Sequence, residues 1–206
     1  ADGVVVIDPG SSVQAGRIPP VFGAFARQDY GTGNPLIGLP LAYHYPAVIR
    51  PDVVPPTEDA VARFLVAAGL DAAAVIGIEP VRRRSITAEK VAIAAVMAGC
   101  LPEYLPVVVA TVKAMCQPEY ALHGSTASTG GSAPFIVVNG PVRLAIGMNA
   151  THNVLANASR ANATIGRSIR LILLNVLGGI PGQLDRSTLG HPGKFTFCVA
   201  EDEEDS

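Results

Sequence analysis

The fold is decided by residues 87–115, which read TAEKVAIAAVMAGCLPEYLPVVVATVKAM. The first part predicts a helix from about Thr87 to Gly99, because apolar residues recur at helical spacing and a glycine commonly ends a helix. Pro102 suits the first turn of a second helix, which we predict over about 102–115. One residue, Cys100, therefore lies at the junction of two helices.

Other elements extend this core toward the N-terminus. Thr57 is a plausible N-cap of a further helix that ends at Gly69, and residues 74–78 form a predicted strand. Residues 11–56 are rich in proline and glycine, which predicts an extended irregular arm suited to wrapping a neighbouring subunit. A β-branched run over residues 3–8 predicts a first strand before that arm.

Toward the C-terminus, strands are predicted over 134–138 and 195–200, with an apolar helix around residues 165–176 between them. Hydrophobic residues make up 49% of the chain but aromatic residues only 5%, so Val, Ile, Leu and Ala must fill the core. Such a core suits a sheet covered by helices. We predict one α/β (or α+β) domain over 1–206, with a mixed sheet, flanking helices and the N-terminal arm.

Composition also limits the possible partners and location of the protein. The net charge of −2 and the charged fraction of 16% argue against binding to nucleic acid, and no apolar run is long enough to cross a membrane. Three cysteines argue against a disulfide framework and favour a reducing compartment. Since no signal peptide is evident at the start, a cytoplasmic protein is expected.

Cys100 is the leading candidate for chemistry. Its position near the start of the helix that follows predicts a thiolate, which is a better nucleophile or metal ligand than a thiol. Glu103, in the next turn, and His191, in a Gly-His-Pro-Gly turn, complete the predicted catalytic set, with His191 as the acid or base. The spacing of His191, Cys198 and Glu201 matches no zinc module, so no metal site is predicted, and the cofactor is left open.

Two polar segments are candidates for substrate binding. The loop 124–132 is rich in Gly, Ser and Thr and can hold an anion or a carbonyl oxygen, although the same composition also suits a flexible linker. The segment 147–166 is rich in Asn and Ser, and it contains Arg160, with Arg167 one residue beyond it; these arginines bind either a substrate carboxylate or the acidic C-terminal run. The binding residues predicted from both segments are Ser128, Thr129, Ser132, Asn149, His152, Arg160, Asn162 and Arg167.

Several common catalytic motifs are missing from the sequence. It contains no Gly-x-Ser-x-Gly, no Cys-x-x-Cys, no His-Glu-x-x-His and no Gly-x-Gly-x-x-Gly after the first strand. The usual serine hydrolase, dithiol, zinc protease and dinucleotide-binding interpretations therefore lose their best support.

Three blocks carry a resemblance to a known group of proteins. The blocks are 85–108, which includes MAGCLPEYLPVV, the helix NATIGRSIRL over 162–171, and GHPGKFTFC over 190–198. Over roughly residues 75–204 the chain resembles bacterial proteins associated with the UGSC-motif (seleno)proteins. The resemblance implies thiol- or selenol-based chemistry on a small substrate. The UGSC-type motif itself is absent, which implies that a partner supplies the reactive chalcogen or that Cys100 serves alone.

Three functional hypotheses follow from the sequence. The first is an enzyme that acts on a small anionic substrate by thiol-dependent lyase or reductive chemistry, as a homo-oligomer or within a hetero-oligomer. The second is a non-catalytic subunit of a larger complex. The third is a serine-dependent amidohydrolase that uses the loop 125–132.

Overall fold

The structure, a computed structural model, describes residues 54–156 and 159–205. From Val54 onward the chain forms one compact unit. The predicted first strand and almost all of the predicted arm lie outside the described residues. The α/β class predicted from the sequence is confirmed by helices and small sheets within them.

The described residues contain six α-helices, four short strands and four 3₁₀ turns. In chain order the helices and strands are α1 (Glu58–Ala68), β1 (Val75–Ile78), β2 (Ser85–Thr87), α2 (Ala88–Ala98), α3 (Leu105–Met115), α4 (Leu122–Thr126), β3 (Ile136–Val138), α5 (Pro141–Ala145), α6 (Arg160–Asn175) and β4 (Cys198–Ala200). The 3₁₀ turns are Pro102–Tyr104, Pro118–Tyr120, Val154–Ala156 and Pro192–Lys194.

Local sequence explains where the main helices begin and end. Thr57 and Thr87 cap α1 and α2, since each hydroxyl accepts a main-chain N–H from the first turn. Gly69 and Gly99 end the same helices in the left-handed conformation, with φ of 62° and 84°. Ser159 caps α6 in the same way as the threonines. The helix boundaries predicted around 57–69 and 87–99 are confirmed.

The strands form two separate sheets of two strands each. β1 pairs with β2 in antiparallel fashion, with an irregularity between Val75 and Gly77. β3 pairs with β4 in parallel fashion, with Ile136 opposite Cys198. The strand predicted over 195–200 is shorter than expected, because Phe195 ends the 3₁₀ turn Pro192–Lys194 before β4 begins.

The core is built around α2 and α6, which share the largest helix–helix contact among the described residues. Most of its large, fully buried side chains are aliphatic, and each of these contributes roughly 1.5–3 kcal/mol of hydrophobic stabilisation. They include Ile86, Val91, Leu105, Val108, Ile165, Ile169 and Leu174. This composition agrees with the prediction of an aliphatic, aromatic-poor core.

α6 also packs against the segment that leads into β4, at one glycine. A Cβ atom on Gly166 would lie 2.5 Å from Thr196 Oγ1 and 2.8 Å from the main-chain nitrogen of Phe197. Thr196 Oγ1 in turn donates a hydrogen bond to the carbonyl of Ala163, 2.8 Å away. Only glycine permits this approach between helix and chain. None of the helices within 54–156 and 159–205 is long and apolar enough to span a bilayer.

Candidate active site

Cys100 occupies the junction that the sequence predicts. Its main-chain N–H donates to the carbonyl of Ala95 at 3.0 Å, which completes the end of α2 after the Gly99 cap. Leu101 then begins the 3₁₀ turn Pro102–Tyr104, and α3 follows. The thiol is therefore separated from the start of α3 by a full turn of chain.

The predicted thiolate at Cys100 is wrong. The side chain is 6% exposed, and burial raises the pKa of the Cys100 thiol to about 11. The side chains of Thr164 and Ser168 and the charge of Arg160 lower this pKa, but by less than burial raises it. Burial dominates because a charged sulfur loses more solvation than these neighbours return. At neutral pH Cys100 is a thiol.

A set of polar side chains nevertheless surrounds Cys100. Arg160, on the first turn of α6, donates from Nε to the carbonyl of Gly99 at 3.0 Å while its side chain is exposed. Tyr104 is buried; its pKa is raised by burial and by the nearby Glu103 and Cys100, while the charge of Arg160 lowers it. We call Cys100, Tyr104, Arg160, Thr164 and Ser168 the Cys100 cluster. It brings together two of the predicted site residues, Cys100 and Arg160.

A second buried thiol lies close to the first. Cys198 on β4 is 2% exposed, and its pKa is raised to about 12 by burial and, secondarily, by the charge that Cys100 would carry. The third thiol, Cys116, is only partly buried, and its pKa is raised by burial and by Glu79.

The three thiols are expected to react with iodoacetamide in an order set by burial. Cys116 should react first, whereas Cys100 and Cys198 should be at least about tenfold slower, because buried thiols are protonated and shielded. Mass spectrometry of peptides from a time course at mildly alkaline pH measures the order. Unfolding in denaturant provides the control, since all three rates should then become similar. Modification of Cys100 before Cys116 would contradict the burial described above.

The predicted binding residues Asn149 and Asn162 make hydrogen bonds to main-chain groups of the segment before α6. Asn162 is fully buried; its Oδ1 accepts from the main-chain N–H of Asn149 at 3.0 Å, and its Nδ2 donates to the carbonyl of Asn149 at 2.9 Å. Asn149 Nδ2 donates to the carbonyl of His152 at 3.0 Å. The His152 side chain is exposed. These contacts fasten the segment before α6 to its first turn, beside Arg160.

The two arginines of α6 have different surroundings. Arg167 lies seven residues after Arg160 on the same face of α6, as predicted. Unlike Arg160, Arg167 is buried, and its guanidinium carbon lies 4.4 Å from the centre of the Phe195 ring. The acidic C-terminal run pairs with a different arginine. Arg143, which is buried, contacts Glu204 at 2.6 Å and Glu203 at 3.4 Å. The acidic C-terminal run thus has Arg143 as a partner, which the sequence analysis did not predict.

The loop 124–132, which is rich in hydroxyl side chains, contacts the turn at residues 185–191. Ser132 Oγ donates to the carbonyl of Ser125 at 2.7 Å, Ser128 Oγ accepts from the N–H of Gly130 at 3.2 Å, and Thr129 is exposed. Two contacts join loop and turn: the Arg186 N–H donates to the Ser128 carbonyl at 3.0 Å, and Ser187 Oγ lies within hydrogen-bond distance of the Gly130 carbonyl.

The centre of that junction is a buried carboxylate that the sequence analysis missed. Asp185 is 6% exposed, and Lys194 Nζ lies 2.7 and 2.9 Å from its two oxygens. Arg170 contacts the same carboxylate at 3.4 Å, and Ser187 Oγ at 2.8 Å. Burial by itself would raise the pKa of Asp185, but the hydrogen bonds from Lys194 and Ser187 outweigh it and hold the pKa below its usual value. We call Asp185, Ser187, Lys194 and Arg170 the Asp185 cluster.

His191 belongs to the loop junction. It is exposed, its Nδ1 accepts from the N–H of Gly193 at 2.9 Å, and its ring centre lies 5.6 Å from that of Phe197. Between His191 and Cys100 no hydrogen bond or ion pair occurs in the described part of the chain. The predicted site residues thus fall into two groups, one around Cys100 and one around the loop 128–132.

The described ranges contain no group of three or more His, Cys, Asp or Glu side chains that would hold a metal ion. Comparisons of the chain with protein-family models, curated proteins and solved structures find no match.

Proposed function

We propose that the protein is an enzyme that acts on a small anionic substrate at the Cys100 cluster by thiol-dependent lyase chemistry. One observation carries this proposal: Arg160 Nε donates to the carbonyl of Gly99, the residue before Cys100, at 3.0 Å, which places a guanidinium charge beside the thiol. The side chains of Thr164 and Ser168 add hydroxyl groups to the electrostatic surroundings of the same thiol.

Arg160 provides the anion-binding group of the cluster. Its Nε is held by the Gly99 carbonyl, which fixes the guanidinium beside the end of α2. The guanidinium has further N–H donors, and it binds a carboxylate best through two parallel hydrogen bonds. A substrate carboxylate held there places the rest of the molecule near Cys100.

The protonated state of Cys100 favours a role as acid and base. When a carbon–heteroatom bond of the substrate breaks, the thiol gives its proton to the leaving group. The resulting thiolate, a strong base because its pKa is about 11, then takes the proton from the adjacent substrate carbon. The products are an alkene and the protonated leaving group, and the thiol is restored. Reductive chemistry is less well supported, because it needs a thiolate as nucleophile.

Elimination assays test this proposal without knowledge of the natural substrate. The protein is incubated with a panel of small carboxylates that bear a hydroxyl, amino or thioether group next to the acidic carbon, and proton NMR follows formation of the alkene. At least one substrate should turn over, and Cys100→Ala should reduce the rate by a factor of about 100 or more.

Two matched variants separate chemistry from folding. Cys198→Ala removes the other buried thiol and should keep turnover, while Arg160→Gln should raise the half-saturating concentration with little change in the maximal rate. Circular dichroism checks the folding of every variant. Full turnover by Cys100→Ala, or no turnover of the whole panel by the wild type, would refute the lyase proposal.

A second function, as a subunit of a larger assembly, is favoured by an exposed strand. Phe135, just before β3, is 51% exposed, and Val137, within β3, is 50% exposed. An apolar groove of about 550 Å³ lies between this strand and α3. Strands with exposed apolar side chains commonly bind other chains. Native mass spectrometry tests this function, and a monomer over a broad concentration range would rule out self-assembly.

A further inference from the structure

We infer that the Asp185 cluster binds a small oxyanion, at a site separate from the Cys100 cluster. Arg160 and Arg170 lie ten residues apart on α6, which is about 15 Å along the helix. The inference is independent of the lyase proposal.

The first reason is the charge balance of the cluster. Lys194 and Arg170 bring two positive charges to Asp185, which supplies one negative charge. The side chains of Lys194 and Arg170 are only 15% and 11% exposed. A surplus positive charge with so little contact with water is unfavourable, and a bound anion compensates it.

The second reason is that Arg170 is not fully engaged by Asp185. The two distances from its Nη atoms to Asp185 Oδ2 are 3.4 and 3.5 Å, longer than a good charge-assisted hydrogen bond. Lys194, by contrast, contacts both oxygens at 2.7 and 2.9 Å. Asp185 is therefore matched mainly by Lys194, and Arg170 keeps donors for a further acceptor.

The third reason is the loop that borders the cluster. Ser187 Oγ lies within hydrogen-bond distance of the Gly130 carbonyl, so the cluster lies against the glycines of the loop 128–132. Gly131 is exposed, and a glycine in such a loop allows an oxyanion to approach the main-chain N–H closely.

Ser187 is a binding group in this site and not a nucleophile. Its partner Lys194 donates hydrogen bonds from Nζ to Asp185 Oδ1 and to the Ser187 hydroxyl oxygen, so Lys194 acts as a donor to Ser187 and not as its base. The geometry therefore supports recognition of a phosphate or carboxylate group.

Calorimetric titration of the full chain with inorganic phosphate and with malonate, at constant ionic strength, tests the inference. The wild type should bind at least one anion, and the tighter of the two identifies the group. Arg170→Gln should weaken that binding by about tenfold, as expected for loss of one charge-assisted contact. Arg186→Gln removes the same charge from an exposed neighbour whose Nε donates to the Gln183 carbonyl, and its affinity should stay within about twofold.

Asp185→Asn gives an opposite expectation and does not depend on the folding of Arg170→Gln. It removes the carboxylate that competes with the ligand, so the affinity for the anion should rise by about tenfold. The inference is overturned if the wild type binds neither anion, if Arg170→Gln and Arg186→Gln lose affinity equally, or if Asp185→Asn, shown by circular dichroism to be folded, does not bind more tightly.

Discussion

Replacement of Gly166 by alanine is expected to destabilise the protein by about 3 kcal/mol, because the added methyl group overlaps main-chain atoms. The new Cβ would lie 2.8 Å from the nitrogen of Phe197 and 3.2 Å from Cys198 Cβ. A main-chain segment cannot move aside as a flexible side chain does, so α6 and the segment before β4 must separate. Urea denaturation followed by circular dichroism measures the loss.

Gly124→Ala is the matched control for this substitution. Gly124 lies within α4, and no atom lies within 4 Å of a Cβ built on it. Alanine there should be neutral or stabilising by up to about 1 kcal/mol, since alanine favours helices more than glycine does. Equal effects of the two substitutions would show that the packing at Gly166 is less close than described.

Removal of the Asp185 carboxylate is expected to cost about 3–5 kcal/mol of folding free energy, because Asp185→Ala leaves Lys194 and Arg170 almost buried without a counter-charge. Thermal unfolding followed by circular dichroism measures this loss. Glu203→Ala is a suitable comparison, since Glu203 pairs with the buried Arg143 but is itself exposed, and its loss should cost much less stability than the loss of Asp185. A small effect of Asp185→Ala would contradict the ion-pair network.

Asp185 also predicts how stability depends on pH. Its folded pKa is below the ordinary value of 3.8, so the stabilisation is fully present above about pH 4. It is lost as the pH falls through the lowered folded pKa, where the carboxylate gains a proton. The stability of the wild type should therefore fall more steeply below pH 4 than that of Asp185→Asn. Parallel slopes for the two proteins would show that Asp185 does not titrate as described.

The helix boundaries were predictable because they are local. A threonine hydroxyl caps the turn that follows it, and a glycine adopts the left-handed conformation without help from distant residues. Thr57, Thr87, Gly69 and Gly99 all act in this way. The position of Cys100 between two helical segments followed from the same signals.

The ionisation of Cys100 was not predictable because burial is a tertiary property. The thiol is covered by α6, which begins sixty residues later in the chain and contributes Arg160, Thr164 and Ser168. The sequence places Cys100 near a helix start, but it does not report how much water the fold leaves around the sulfur.

The Asp185 cluster was missed for a related reason. Its members Arg170, Asp185 and Lys194 are separated by fifteen and nine residues, and no motif spacing marks them. Arg170 also falls on a helix that reads as apolar. The three charges come together only because the chain after α6 folds back against that helix.

The two buried thiols have a consequence for the charge that the core accepts. The pKa of Cys198 is raised to about 12, in part by the charge that Cys100 would carry. Ionisation of Cys100 therefore opposes ionisation of Cys198. A negative charge on Cys100 makes a second one on Cys198 still less favourable, so the core disfavours two sulfur anions together even though two thiols are present.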